Sequence, residues 1–270
     1  IIGAGSAGSV LTNRLSEDAG TRVCVLEAGP SDWHPYIHLP AGFIKTFHMK
    51  SVNWAYQQEP GPYTGGRSIY APRGKTLGGS SSINAMVYMR GHKADYDGWE
   101  VASGTSVWGW DRVRALFKRL ENNQRFGNSE YHGTGGELFV SELQTVNPLS
   151  RSFVKAGREL QIQHNDDFNG ERQEGVGLYQ VTQNRGRRWS SAKAFLESAL
   201  DRPNLEVITD ARVTRVVMDG RRAIGVSYRR NNKYKQARLN PAGEVLLSGG
   251  AVNSPQILML SGVGAAEERS

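Results

Sequence analysis

Along the 270 residues, apolar positions fall into three patterns. Short continuous runs at residues 21–27, with Val23, Cys24, Val25 and Leu26, and at residues 244–248 predict strands buried on both faces, as in a parallel sheet. Alternating or β-branched stretches at residues 178–183, 205–208, 211–217 and 223–228 predict further strands, with Asp219-Gly220 as a hairpin turn and another short strand after Lys233. Helical spacing marks residues 9–15, 99–120 with Asp111 as a cap, and 148–160 with Phe153, Val154, Ala156 and Leu160 on one side. Ser254-Pro255 reads as a cap followed by proline in the first turn, opening a helix that stops at Ser261-Gly262. Strand, glycine loop and helix thus recur in sequence, which predicts an α/β fold.

The glycines give this frame its chemistry. Gly3-Ala4-Gly5-Ser6-Ala7-Gly8 is a G-x-G-x-x-G loop that leads into a helix. Gly3 permits the tight turn, Gly5 lets backbone approach a pyrophosphate, and Gly8 lets helix and strand pack closely. The helix N-terminus then offers free N–H groups to an anion. Glu27 closes the next strand nineteen positions past Gly8, the spacing of a carboxylate that binds adenosine ribose hydroxyls and disfavours a 2′-phosphate. These features leave NAD and FAD open. A second glycine-rich loop, Gly74-Lys75-Thr76-Leu77-Gly78-Gly79-Ser80, tilts the choice to FAD, because a cofactor reaching between two loops must be long. Between the loops, the aromatic stretch up to Tyr63 reads as a covering lid.

Composition excludes more than it assigns. A hydrophobic content of 38% supports a real core, and no apolar run reaches the length of a membrane span. The net charge of +7 comes mostly from Arg185, Arg187 and Arg188 and from cations at residues 221–238 around predicted hairpins. Without a nucleic-acid-binding motif beside them, these predict a solvated face and no nucleic-acid partner. The single cysteine, Cys24, reads as a small buried hydrophobe, and His132, flanked by turn residues, as structural. Only Ile1 and Ile2 precede the first loop, so the supporting strand is expected to begin before residue 1.

Three separated stretches resemble the N-terminal half of the glucose–methanol–choline (GMC) oxidoreductases, FAD enzymes that oxidise alcohols. They are residues 3–8 with Glu27, residues 74–84, and residues 250–264; Asn53-Trp54-Ala55-Tyr56 and Tyr131-His132-Gly133 add to the likeness. The similarity covers nearly the whole chain and is greatest to bacterial choline dehydrogenase and alcohol dehydrogenase members. It implies an α/β, Rossmann-like three-layer FAD-binding fold carrying part of an inserted α+β substrate domain. Residues 1–140 and 187–270 would be the two FAD-binding segments, and 141–186 the start of the substrate-binding domain.

Carried over by position, Gly3, Gly5, Ser6, Ala7 and Gly8 would contact the pyrophosphate, with Glu27 and Ala28 at the adenosine ribose. Gly79 and Ser80 would line the middle of the cofactor, Asn84, Ala85, Met86 and Val87 would approach the flavin, and Val213 would meet adenine. Ile83 stands where some relatives carry a flavin-linked histidine, so the FAD is expected to be non-covalent. The substrate would be a primary alcohol, choline-like or aliphatic, and the electron acceptor a quinone-like carrier or oxygen. The implied location is cytoplasmic, with room for peripheral association at the inner membrane. The family's base is a C-terminal histidine, and none of the histidines at 34, 38, 48, 92, 132 and 164 matches it. No catalytic residue and no metal ligand is therefore assigned, and turnover is not expected from this stretch alone. A non-catalytic FAD-binding module and an NAD-dependent dehydrogenase are the competing readings.

Overall fold

A computed structural model describes residues 1–264 and divides the chain into two compact units, residues 1–84 with 190 onward, and residues 85–189. The first unit is built on a parallel layer. Val23–Leu26 pairs with Leu205–Ile208, and Ile2 bridges Leu26 on one side and Leu247 on the other. The strand expected over residues 244–248 is reduced to this bridge. Its partner segment supplies a single rung, with Ile2 N–H donating to Leu246 C=O at 2.8 Å and Ser248 N–H to Ile2 C=O at 2.9 Å.

Side-chain alternation buries both faces of the 23–26 strand, as its continuous apolar run requires. Val23 and Val25 pack with Ala4, Leu77, Ala192 and Leu196. Leu26 faces the other way, against Ile2, Val213, Val226, Tyr228 and Ile257, with Cys24 at the margin of that cluster. Each fully buried side chain of this kind stabilises the fold by about 1.5–3 kcal/mol. The second cluster is closed by an antiparallel meander of Arg212–Asp219, Arg222–Arg230 and Lys233–Arg238, turning at Gly220 with φ +55° as the sequence predicts.

The helix expected to start at Ser254-Pro255 instead runs Gly250–Leu260, with Pro255 inside it. As the sixth residue of this helix, Pro255 lies past the first four unpaired N–H groups, so it removes one intrahelical hydrogen bond, a cost the helix bears one turn from its start.

The second unit holds two helices where one helical stretch over 99–120 is predicted. Lys93–Ser103 ends at Gly104, which is left-handed at φ +68°, and Trp110–Leu120 follows. Gly109, not Asp111, caps the latter, and Asp97 accepts from Trp110 N–H at 3.1 Å. Pro148–Glu159 forms as predicted, capped by Asn147, but Phe153 and Leu160 are exposed and Gly157 is the buried position. A Cβ on Gly157 would meet Val176 Cγ2 at 2.9 Å, so close approach of backbone decides which face is buried. Residues 178–182 alternate without becoming a strand, with Val181 making single bridges to Val87 and to Ser141, and only Gln183 enters a strand, the two-residue Gln183–Asn184 paired with Arg187–Arg188.

Residues 85–140 pack with 141–189, so the compact units divide differently from the expected segments at 140/141 and 186/187. The physical tie is a buried ionic network. Arg90 pairs with Glu121 at 2.9 Å, and His132 joins Glu121 at 3.0 Å to Asp167 at 2.9 Å. His132 is thus structural. Burial acts to lower its pKa, but hydrogen bonds with Asp167 and Glu121 outweigh that and raise it. Burial acts to raise Glu121, and its bonds from His132 and Arg90 bring it down instead.

The His132 contribution to stability is present below the ordinary histidine pKa and lost as pH rises through the raised folded value; the Glu121 contribution is lost as pH falls through its lowered one. Removing one partner leaves a buried charge uncompensated. Glu121→Gln is expected to destabilise this unit by about 3–5 kcal/mol, read from urea unfolding. A change under about 1 kcal/mol would show that the network is dispensable.

Candidate cofactor site

The first unit encloses a cavity of about 700 Å³. Its floor is the first glycine loop. Gly3 has φ +90°, and a Cβ there would lie 2.6 Å from the Ser248 carbonyl oxygen. A Cβ on Gly8 would sit 1.9 Å from the Gly3 carbonyl oxygen, so the helix can lie this close to the loop only without a side chain. Gly5 differs from both: its φ is −76°, and the nearest atom to a Cβ is Gly79 Cα at an ordinary 3.8 Å. The protein itself does not require glycine at position 5, and the space beside it is cavity.

The second glycine loop meets the first there. Gly79 has φ +54°, and a Cβ on it would come within 2.8 Å of Gly5 Cα. Ser80 Oγ accepts from Gly74 N–H at 3.0 Å, closing the loop on itself. The Ser6–Leu15 helix starts at Gly5 with no side-chain cap and no acidic residue in its first turn, leaving donors and positive potential for an anion.

Glu27 is buried at the cavity wall. Its Oε2 accepts from Ala4 N–H and its Oε1 from Gly29 N–H, each at 2.9 Å. A carboxylate offers about four lone-pair sites, so acceptor capacity remains. Burial pushes its pKa up to about 7 against the lowering effect of those N–H bonds, and Asp210 adds to the rise.

The cavity therefore gathers Gly3, Gly5, Ser6 and Ala7 of one loop, Glu27 and Ala28 after the strand, Gly79 and Ser80 of the other loop, and Val213 of the meander. Gly8 supports the loop from beneath and does not line it. Asn84 ends the first unit, its N–H donating to Ser80 C=O at 2.9 Å. Ala85, Met86 and Val87 open the second unit. There Met86, at φ +64°, accepts from Thr182 N–H at 2.8 Å, and Val87 bridges Val181. None of these four lines the cavity.

Sequence reasoning did not find Trp54, Arg73, Arg212, Arg229, Tyr234 and Asn253 as lining residues. Trp54 and Asn253 had linear signals, in the Asn53-Trp54-Ala55-Tyr56 stretch and in residues 250–264. Trp54 stacks on Tyr56 with ring centroids 5.8 Å apart, and Tyr56 Oη donates to Asn253 Oδ1 at 2.5 Å. The others are brought in by strand register and helix position.

An elongated ligand with a diol and a diphosphate fits these features. The uncapped helix and open Gly5 suit the diphosphate, and the spare acceptors of Glu27 suit hydroxyl donors. No histidine lines the cavity among the described residues, and no cluster of metal-ligating side chains occurs among them. No described helix is long and apolar enough to cross a membrane.

The comparisons with known proteins agree with this architecture. Residues 1–269 match the family model described as GMC oxidoreductase. The chain is 60% identical over 268 residues to an alcohol dehydrogenase [acceptor] of Pseudomonas putida, covering 99% of this chain and 48% of that one. It is 44% identical over 266 residues to an oxygen-dependent choline dehydrogenase of Brucella ovis, covering 98% and 48%. Among solved structures it superposes on pyridoxine 4-oxidase from Mesorbium loti with a TM-score of 0.93 at 35% identity, covering 98% of this chain and 52% of that one. A formate oxidase of Aspergillus oryzae RIB40 gives 0.88 at 27%, covering 99% and 48%. The chain spans about half the length of the curated relatives it matches. On sequence and fold together, the chain belongs to the GMC oxidoreductase family and carries its FAD-binding α/β fold.

Proposed function

We propose that this chain is the FAD-holding part of an oxidoreductase acting on the CH–OH group of a primary alcohol, choline-like or aliphatic. The observation that carries the reading is the meeting of two glycine loops, Gly5 against Gly79, in one cavity that also contains Glu27. The diphosphate lies over Gly3, Gly5, Ser6 and Ala7 at the helix N-terminus. Glu27 accepts from the adenosine ribose, with Ala28 beside it, and Val213 borders the adenine. Gly79 and Ser80 face the middle of the cofactor, and Asn84, which ends the same unit, serves its flavin end. FAD, when bound, supplies the hydride acceptor. The residues of this chain bind it, orient it and exclude water, and none in the cavity is a histidine able to take the alcohol proton. The relatives' names support an alcohol or choline substrate, and for one of them a separate electron acceptor, for which we infer a quinone-like carrier or oxygen.

Titration of the chain with FAD and with NAD tests the reading, followed by anaerobic addition of choline or an aliphatic alcohol. FAD is expected to bind at least tenfold more tightly than NAD, and the bound flavin to stay oxidised. Preference for NAD would overturn the cofactor assignment; bleaching by alcohol would overturn the absence of a base in this chain.

The FAD is non-covalent. Ile83, buried in a cluster with Ile37 and Val52, offers no nucleophile. Denaturation and ultrafiltration should release all flavin into the filtrate, whereas yellow colour retained on the denatured protein would contradict the proposal.

A further inference from the structure

One wall of the cavity carries positive charge that the fold leaves without a counter-ion. Arg212 and Arg229 stand directly opposite each other on adjacent antiparallel strands, and Tyr234 continues the row on the third strand. All three line the cavity, as does Arg73. Like charges in directly opposed positions destabilise a sheet. Neither Arg212 nor Arg229 forms an ion pair among the described residues. Arg229 donates to Asn232 Oδ1 at 2.8 Å, and the Arg212 guanidinium lies 5.5 Å from the centre of the Trp54 ring. Trp54 is shared with Lys75, whose Nζ is 5.6 Å from the same ring. Of the many cations on this meander, only Arg212 and Arg229 line the cavity, and both are exposed. They therefore keep their hydration and project field into the opening rather than burying it.

We propose that Arg212 and Arg229 are a cofactor-capture pair. Their summed charge draws the dianionic pyrophosphate of FAD into the cavity, and the arriving anion relieves the repulsion between them. The inference rests on the reading that this cavity holds FAD. Arg73, Arg212 and Arg229 outnumber Glu27, the one carboxylate among the described residues of the lining, and a cleft of net positive charge raises the association rate of an anion at low ionic strength, an effect that salt screens over about 10 Å at 0.1 M. The pair thus acts on the speed of capture more than on the tightness of the complex, while Trp54 keeps Arg212 turned along the wall.

Stopped-flow mixing of the FAD-free chain with FAD tests this, following flavin fluorescence for the wild type, Arg212→Gln, Arg229→Gln and Arg229→Lys. At low salt each glutamine variant should associate roughly three- to tenfold more slowly than wild type, Arg229→Lys should recover most of the rate, and the differences should vanish near 0.5 M salt. Dissociation rates should change by less than about twofold. The FAD-free glutamine variants should melt at or above the wild-type temperature, since a repulsive pair has been removed. Glutamine variants that capture FAD at the wild-type rate, or that are slowed equally at every salt concentration, would overturn the inference while leaving FAD binding intact. A wild-type chain that does not bind FAD would overturn both.

Discussion

Gly8→Ala is expected to lower the melting temperature of the FAD-free chain by about 6–12 °C and to weaken FAD binding by about a hundredfold. The added methyl would lie 1.9 Å from the Gly3 carbonyl oxygen, 3.0 Å from its carbon and 3.4 Å from Ser248 Cβ. The first two contacts are backbone, which cannot swing aside like a side-chain tip, so the Ser6–Leu15 helix must move away from the loop. Overpacking of this kind costs about 1–3 kcal/mol, and more where the obstacle is rigid. The same shift carries the helix N-terminus off the diphosphate, which couples binding to stability. Gly61→Ala is the matched control, because a Cβ there meets nothing within 4 Å. Paired thermal melts with and without FAD check both effects. A Gly8→Ala chain that melts and binds like Gly61→Ala would show that the helix–loop contact has been misjudged.

Glu27→Gln is expected to weaken FAD binding by about ten- to a hundredfold, or about 1.4–2.7 kcal/mol. Both carboxylate oxygens already accept backbone N–H bonds, from Ala4 and Gly29. An amide must turn its NH₂ toward one of these donors, leaving that N–H unsatisfied and presenting the ribose with fewer acceptors.

The charge also sets a pH dependence. Burial raises the folded pKa to about 7 from 4.5, so between those values the folded FAD-free chain holds a proton that the unfolded chain has lost. Stability therefore falls as pH rises through that window, by up to about 3 kcal/mol from this group. Ribose hydroxyls donating to Glu27 favour its charged form, so FAD should bind more tightly at pH 8 than at pH 6. Isothermal titration at the two pH values checks the sign. The Glu27→Gln chain should lose the pH dependence, and an unchanged dependence in the variant would assign it to another group.

What was legible in the sequence is what depends on near neighbours. Gly3 and Gly8 have roles fixed within six residues, and Glu27 follows one strand later, so spacing alone could place them. The meander was legible because Asp219-Gly220 supplies its turn locally. The start of the Gly250–Leu260 helix was not, because Pro255 carries the usual first-turn signal and the true start at Gly249-Gly250 looks like a loop. Alternation at residues 178–183 misled in part for a related reason: period two shows which side chains could share a face, but a strand also needs a partner along its length, and here Val181 has only single bridges and Gln183 only a two-residue strand. Phe153 and Leu160 show the same limit for a helix, since a buried Gly157 decides which side packs. Arg212 joins Arg229 and Tyr234 at the cavity through cross-strand register, a pairing with Arg229 that its own stretch of sequence does not contain.

The central claim, that the cavity of the first unit holds FAD across its two glycine loops, is tested most directly at Gly5. A Cβ there approaches only Gly79 Cα, at 3.8 Å, with φ at an ordinary −76°. The protein has no steric reason to require glycine, whereas a pyrophosphate resting on that backbone does. FAD titrations and melts of wild type and Gly5→Ala should therefore separate. The variant is expected to melt within about 4 °C of wild type without FAD, a stability change of about 1 kcal/mol or less, yet to bind FAD at least tenfold more weakly. Wild-type affinity in a Gly5→Ala chain that melts normally would contradict the account, because the cofactor would then lie somewhere other than over this loop.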